Sequence, residues 1–321
     1  MIPRLPMATG AKDMHFDSRM PVSLPLSDAI SKLWLPRSSL IGRVRGVMVR
    51  DTRGTALDAG RRFKHYPATP LCSLGWWSTG DVEMLEPGHA AVLESPRRAM
   101  PGRVAFSGPQ TRPMVTWNTG PAYSPMLLLM PDAFRLLTGS DPGVWLDRTD
   151  ASLVLPAPWL AMCAEVASAD DDSRRVDLAE RFLDPLWQAA RPCQMVDTQR
   201  CVDWVQGLAL RAATSRAGRS LRQVERRILQ WTGQPLRELR GLGGAERAFF
   251  DAMAAARAPS ADWASIALDN DFSDQSHLCR TSRRINGLAP AALNGGVSRC
   301  AVKRPSTSPP ARAASTHRSS R

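Results

Sequence analysis

Two stretches of the chain carry arginine and amide side chains at a spacing suited to reading DNA. Between Gln275 and Ile285, at 100° per residue, Ser276, His277, Arg280, Arg283 and Arg284 fall on one side of a helix. Leu278, Ser282 and Ile285 fall on the other. Arginine offers a planar fork of donors that pairs bidentately with guanine, and glutamine pairs likewise with adenine. Some arginines on such a face hold phosphates instead, and their spacing alone does not sort the two roles. A cationic helix face is also what a merely solvated helix shows, so the elements around it must decide.

Those elements read as two short helices joined by a tight turn. An apolar helix runs from Trp263 to Leu268, and the turn Asp269-Asn270-Asp271 follows. Phe272 leads to an N-cap at Ser273 or Asp274, and Gly287 and Pro290 end the second helix. The same logic occurs earlier at a constant offset of 54 residues. Ser220 then answers Asp274, Val224 answers Leu278, Ile228 answers Ser282, Trp231 answers Ile285, Arg226 answers Arg280, and Gly233 answers Gly287. The outward face of the earlier unit is Arg222, Gln223, Arg226 and Gln230. The candidate DNA-binding residues are therefore Ser220, Arg222, Gln223, Arg226, Asp274, Gln275, His277, Arg280, Arg283 and Arg284. Between the units, Leu236, Leu239, Ala245, Ala248 and Phe249 support a helix over 235–256. Gly241, Gly243 and Gly244 weaken it by about 1 kcal/mol each relative to alanine.

The run from Phe272 to Pro290 resembles the signature of the AraC/XylS family of bacterial transcription regulators. Phe272, Asp274, Ser276, Leu278, Arg280, Arg283, Arg284, Gly287 and Pro290 carry the match. Asp271 stands where the family usually has a turn glycine, and Ser282 where it usually buries a phenylalanine. The resemblance implies a sequence-specific regulator that places two recognition helices in successive major grooves, held apart by a long connecting helix. It implies double-stranded DNA as partner, with RNA polymerase, a small-molecule effector and a second copy of the chain as further candidates. It leaves activation against repression open. Filling position 282 with phenylalanine is expected to stabilise the second unit.

Charge distribution agrees with a polyanion partner. The chain carries a formal net charge of +12. Residues 193–321 hold 20 Lys and Arg against 10 Asp and Glu, whereas residues 1–192 hold 22 against 20. The excess thus coincides with the paired motifs; an arginine-rich proteome with a basic tail is the plainer alternative. The six cysteines show no CxxC pairing and read as reduced thiols of a cytoplasmic protein rather than as a zinc site. No signal peptide is evident, and the longest apolar run, Met126 to Met130, is far below a membrane span. No nucleophile elbow, phosphate loop or paired-carboxylate site occurs; GLGGAE at 241–246 lacks the Lys and Ser/Thr of a phosphate loop. The reading is not an enzyme and has no cofactor. A degenerate paralogue that binds DNA only nonspecifically, or an enzyme, are the rivals.

The fold class expected is α+β. Residues 1–25 read as a disordered leader, 26–192 as a β-rich sensor unit with trailing helices, 194–293 as an all-α double helix-turn-helix domain, and 294–321 as a disordered basic tail or a degenerate end. Short strands are expected at Leu40 to Arg50, Leu71 to Trp76, Ala90 to Leu93, Arg103 to Ser107 and Met114 to Trp117. Residues 63–77 and 106–121 resemble the N-terminal domain of some AraC-type regulators, which implies a cupin-like barrel. His65 and His89 are isolated and make no metal motif. Arg112, in the turn Gly108 to Arg112, either meets an anionic effector or belongs to a hairpin turn. Trp76, Trp77 and Trp117 either line a pocket or fill the core. Helices are expected from Pro131 to Gly139 and across 158–190, broken at Asp170-Asp171-Asp172, with Trp159, Met162, Val166, Leu178, Phe182 and Leu186 as their apolar face. They either pair subunits, as the resemblance suggests, or cap the barrel. The acidic triplet reads as a solvated loop.

Overall fold

The computed structural model describes residues 22–26, 29–192, 198, 200–215, 220–255, 263–270 and 272–287. Most of the expected leader and the whole expected tail lie outside these residues, as do the domain boundary at 193 and Asp271. The sheet begins earlier than position 26, because Val22–Leu26 (β1) already pairs with Ala29–Trp34 (β2).

Among the described residues, eleven antiparallel strands form two facing sheets. Val44–Asp51 (β3), Phe63–Tyr66 (β4), Cys72–Trp76 (β5), Val82–Leu85 (β6) and Arg97–Ala99 (β7) come first. Val104–Ser107 (β8), Met114–Asn118 (β9), Tyr123–Leu129 (β10) and Thr149–Ala151 (β11) complete them. The larger sheet runs β1-β2-β3-β10-β5-β8-β11, and the smaller β4-β9-β6-β7. Four of the five expected strands are present. Ala90 to Leu93 is instead a turn, in which Val92 N–H donates back to Ala90 O and Arg97 donates to Leu93 O. The outer face of the larger sheet is almost wholly apolar: Trp34, Val47, Val49, Leu74, Trp76, Phe106, Leu127 and Leu129 alternate along their strands and enter one core.

Helices cover that face. Pro131–Thr138 (α1) starts with proline in its first turn and stops at Gly139 in the left-handed region, φ 72°. Ala157–Ser168 (α2) and Asp172–Ala190 (α3) are separated by Asp171, whose side chain caps α3 by accepting from Arg174 N–H. Trp159, Met162 and Val166 are buried as the spacing predicts. The buried face of α3 is wider than the expected one: Leu178 and Phe182 pack against the core as the spacing predicts, Val176, Ala179, Leu183 and Trp187 are buried beside them, and Leu186 is exposed. Charge adds to this face. Arg37 pairs with Glu180 at 3.0 Å, and Lys32 pairs with Asp172 at 2.8 Å, so the acidic side of α3 is drawn onto the sheet. Asp172, which also accepts from Tyr123, is therefore not the solvated loop residue expected. The wall that α2 and α3 form against the sheet accounts for their apolar faces by capping.

Trp76 and Trp77 are core residues, and Trp117 is half-buried with its Nε1–H donated to Ala59 O. The turn around Arg112 is tied to the fold through Thr111, which donates from N–H and Oγ1 to Asp147, while Arg112 is exposed. Cys163 is pushed up to about 12 by burial, and Cys72 and Cys201 are raised by burial as well. These thiols are poor nucleophiles and behave as small core residues. Among the described residues no group of His, Cys, Asp and Glu could hold a metal, and no helix is long and apolar enough to cross a membrane.

Candidate nucleic-acid interface

Among the described residues five helices follow: Cys201–Thr214 (α4), Leu221–Thr232 (α5), Leu236–Ala255 (α6), Trp263–Asp269 (α7) and Gln275–Asn286 (α8). The pairs α4–α5 and α7–α8 are the two expected units. Their second helices are built alike at both ends. Ser220 caps α5 by accepting from Gln223 N–H, and Asp274 caps α8 by accepting from His277 N–H at 2.6 Å. Gly233 and Gly287, each at φ 74°, close the helices in the left-handed region with an N–H bonded four residues back. The offset of 54 residues thus holds for both caps. The Asp274 carboxyl lies below its ordinary value, chiefly because it accepts from the His277 N–H.

The cores beneath the two helices differ. Val224 and Ile228 of α5 are buried in the main core beside Trp204, Val205 and Leu208 of α4. Leu278 packs with Phe272, Ile266, Ala267 and Ala248, whereas Ile285 belongs to a separate group with Leu242, Ala245 and Ala68. Ser282 lies one turn from each and is 5% exposed, with Asn286 Nδ2 donating to its hydroxyl at 3.4 Å. The short polar side chain interrupts the apolar stripe between the two groups.

The connecting helix α6 runs unbroken through its three glycines. At 1.5 Å per residue its 20 residues span about 30 Å. The glycines weaken propensity but admit neighbours. A Cβ at Gly243 would stand 3.2 Å from Val202 Cγ2, one at Gly244 3.7 Å from Asn270 O, and one at Gly241 3.5 Å from Arg284 Nη2. Close approach of α4, the α7–α8 turn and α8 offsets the local cost. Asn270 in that turn is 2% exposed and fully engaged: its amide donates to Asp251 and to Ile266 O, and its carbonyl accepts from Arg247 at 2.7 Å.

The ten candidate residues separate into two groups. Ser220 and Gln223 form a capping box, each side chain engaged with the other's backbone. Asp274 is a cap, and His277 turns back toward it: Nδ1 lies 3.3 Å from Ser273 Oγ, and the ring meets Phe272 edge-on at 5.3 Å. Arg284 donates to Glu238 of α6 at 2.7 Å. These five start or brace helices. Arg222, Arg226, Gln275, Arg280 and Arg283 are exposed on α5 and α8 and form no ion pair among the described residues. Two further cations that the spacing did not single out brace the first unit. Arg227 donates to Ala212 O, and Arg211 lies 4.4 Å over the Trp231 ring.

The N-terminal unit reaches both second helices. Asp132 of α1, 2% exposed, accepts from Trp204 Nε1 at 3.1 Å and Arg211 Nη2 at 2.8 Å. Arg45 pairs with Glu246 of α6 at 2.7 Å. A helical turn at Pro142–Trp145 abuts the end of α5, and Ala68 N–H donates to Ile285 O near the end of α8 at 2.7 Å. A cleft of about 610 Å³ lies where α5 meets that turn, lined by Asp141, Gly143, Arg226, Leu229, Gln230 and Gly233.

No protein-family model matches the sequence, and no curated protein matches it. Among solved structures the chain is similar to an apo point mutant of ToxT from Vibrio cholerae strain SCE256, with TM-score 0.37 and 12% identity over 79% of this chain and 97% of that one. It is similar to ToxT from Vibrio cholerae O395, with TM-score 0.34 and 12% identity over 74% and 95%. A hydroxyethylphosphonate dioxygenase mutant gives TM-score 0.23 and 12% identity over 82% and 49%. These scores are too low to transfer anything between the proteins.

Proposed function

We propose that the chain is a DNA-binding transcription regulator that presents α5 and α8 to successive major grooves on one face of the duplex. The observation that carries this is the repeated cap-to-cap geometry of two helix-turn-helix units, each with exposed arginine on the outward side of its second helix. A structural helical bundle has no need to repeat both caps and an outward arginine at one offset. The α6 span of about 30 Å is close to the ~34 Å between half-sites one helical turn apart. Arg222, Arg226, Gln275, Arg280 and Arg283 are the residues placed to reach bases or phosphates. The two β-sheets and α1–α3 form the sensor unit, and the protein acts as a binding protein with no catalytic step.

The test is selection by the full-length protein from random duplex DNA at about 0.15 M salt, followed by competition with unrelated duplex. The expected result is an enriched bipartite site with half-sites about 10 base pairs apart that survives competitor. Binding that competitor removes in full would leave phosphate attraction only.

A further inference from the structure

We infer that Leu221 reads a base: it meets the 5-methyl group of a thymine in the half-site that α5 enters. This rests on the regulator reading and names one feature of the DNA sequence it selects. Leu221 is 83% exposed, the most exposed large apolar side chain among the described residues. It joins none of the apolar groups of the core. Single surface leucines are ordinary, so its place in the helix carries the argument. It is the first residue of α5, and Ser220 before it forms the capping box with Gln223 that fixes this turn. Helical side chains lean toward the N-terminus, so Leu221 projects past the end of α5. A recognition helix meets base edges with its N-terminal residues. Val224 and Ile228 are turned into the core, which leaves Leu221 and Arg222 exposed in the first turn and Arg226 exposed one turn on.

The chemistry of the side chain selects the base. Leucine neither donates nor accepts a hydrogen bond. Base pairs present donors and acceptors in the major groove, and one apolar group, the thymine 5-methyl. Taking leucine and that methyl group out of water together is favourable. Leucine set against a base amino or carbonyl group strips water from a polar atom and returns no hydrogen bond. A phosphate is no better partner, because Glu225, four residues on along the same side of the helix, is an exposed anion. The offset of 54 places Gln275 at the same first position of α8, also exposed. Glutamine pairs with adenine, so the two helices ask for different bases at equivalent positions.

The test uses the full-length protein and the duplex it selects. Each thymine of the site is replaced in turn by uracil, which removes the methyl group and leaves the pairing edge unchanged. One replacement should weaken binding about fourfold, the size of one buried methyl group. Leu221→Ala should keep the wild-type Tm, bind the thymine duplex more weakly by a similar factor, and lose the uracil effect at that position alone. Leu221→Met, still apolar, should retain the effect. Indifference to uracil at every thymine, or a selected site without thymine, would overturn the proposal. So would a uracil effect of equal size in Leu221→Ala, which would assign the methyl group's influence to duplex deformability. Failure to select any site would remove the regulator reading itself, and this inference with it.

Discussion

Arg226 and Arg280 hold equivalent places one turn into the two outward helices, yet their surroundings differ. Arg226 rests on a unit whose core is complete, with Ile228 fully buried beneath it, and lies in the cleft beside Asp141. Arg280 rests on a unit whose apolar stripe is interrupted at Ser282. A base contact made from a rigid helix loses more when truncated than one made from a looser helix. Arg226→Ala is therefore expected to cost about 1–3 kcal/mol on the selected site and relax preference at one base pair, and Arg280→Ala less. Titration of each variant against the selected duplex and single-base variants decides it; equal losses would remove the asymmetry. If Arg226 holds phosphate, affinity falls uniformly and the salt slope drops by about one. The paired arginines were legible in the sequence because helical periodicity places them. The roles of His277 and Arg284 were not, because each is settled by a neighbour outside the periodic pattern, Ser273 and Phe272 for one and Glu238 for the other.

At the level of elements, caps and turns were readable because local chemistry fixes them: a short polar residue before the helix, glycine after it. Tertiary contacts were not. Gly233 and Gly287 share φ 74°, so sequence logic treats them alike. In the fold, a Cβ at Gly233 would stand 2.9 Å from Gly143 N and 3.0 Å from Pro142 C, which are backbone atoms that cannot move aside, whereas one at Gly287 would meet only Pro113 at 3.6 Å. Gly287→Ala should cost about 1–2 kcal/mol from the left-handed backbone alone. Gly233→Ala should cost clearly more in urea denaturation and should loosen α5 from the Pro142–Trp145 turn. Identical midpoints for the two variants would contradict this packing. Position 282 reverses an expectation. The family pattern favours Ser282→Phe, but Ser282 is already 5% exposed and its hydroxyl is bonded. Packing has closed around the serine, so phenylalanine is expected to overfill it and destabilise the protein by about 1–3 kcal/mol. A raised Tm would show that the gap between the two apolar groups is open after all.

Across the whole molecule, one core runs from the sheet through α1–α3 into α4, α5 and the start of α6. The composition split between a near-neutral first part and a basic second part suggests two independent units, because charge reports partners rather than packing. The contacts that join them pair residues far apart in sequence, and no local pattern announces them. Asp132 is the clearest case: it lies 2% exposed at the start of α1 and holds both Trp204 and Arg211 of α4. Removing it leaves a buried indole N–H and a mostly buried guanidinium without their acceptor. Asp132→Ala is therefore expected to cost about 3 kcal/mol, and to separate unfolding of α4–α5 from that of the sheets. The fragment 194–293, which holds both helix-turn-helix motifs and the basic excess, should for the same reason be less stable than the same helices in the full chain. Hydrogen exchange of α4 and α5 amides, compared between the full chain, Asp132→Ala and the fragment, reads this directly. Protection in the full chain should exceed that in the other two, with the α7–α8 amides less affected because their apolar group of Leu278, Phe272, Ile266 and Ala248 is self-contained. Equal protection of α4 and α5 in all three proteins would show that the first helix-turn-helix unit stands without the sensor unit.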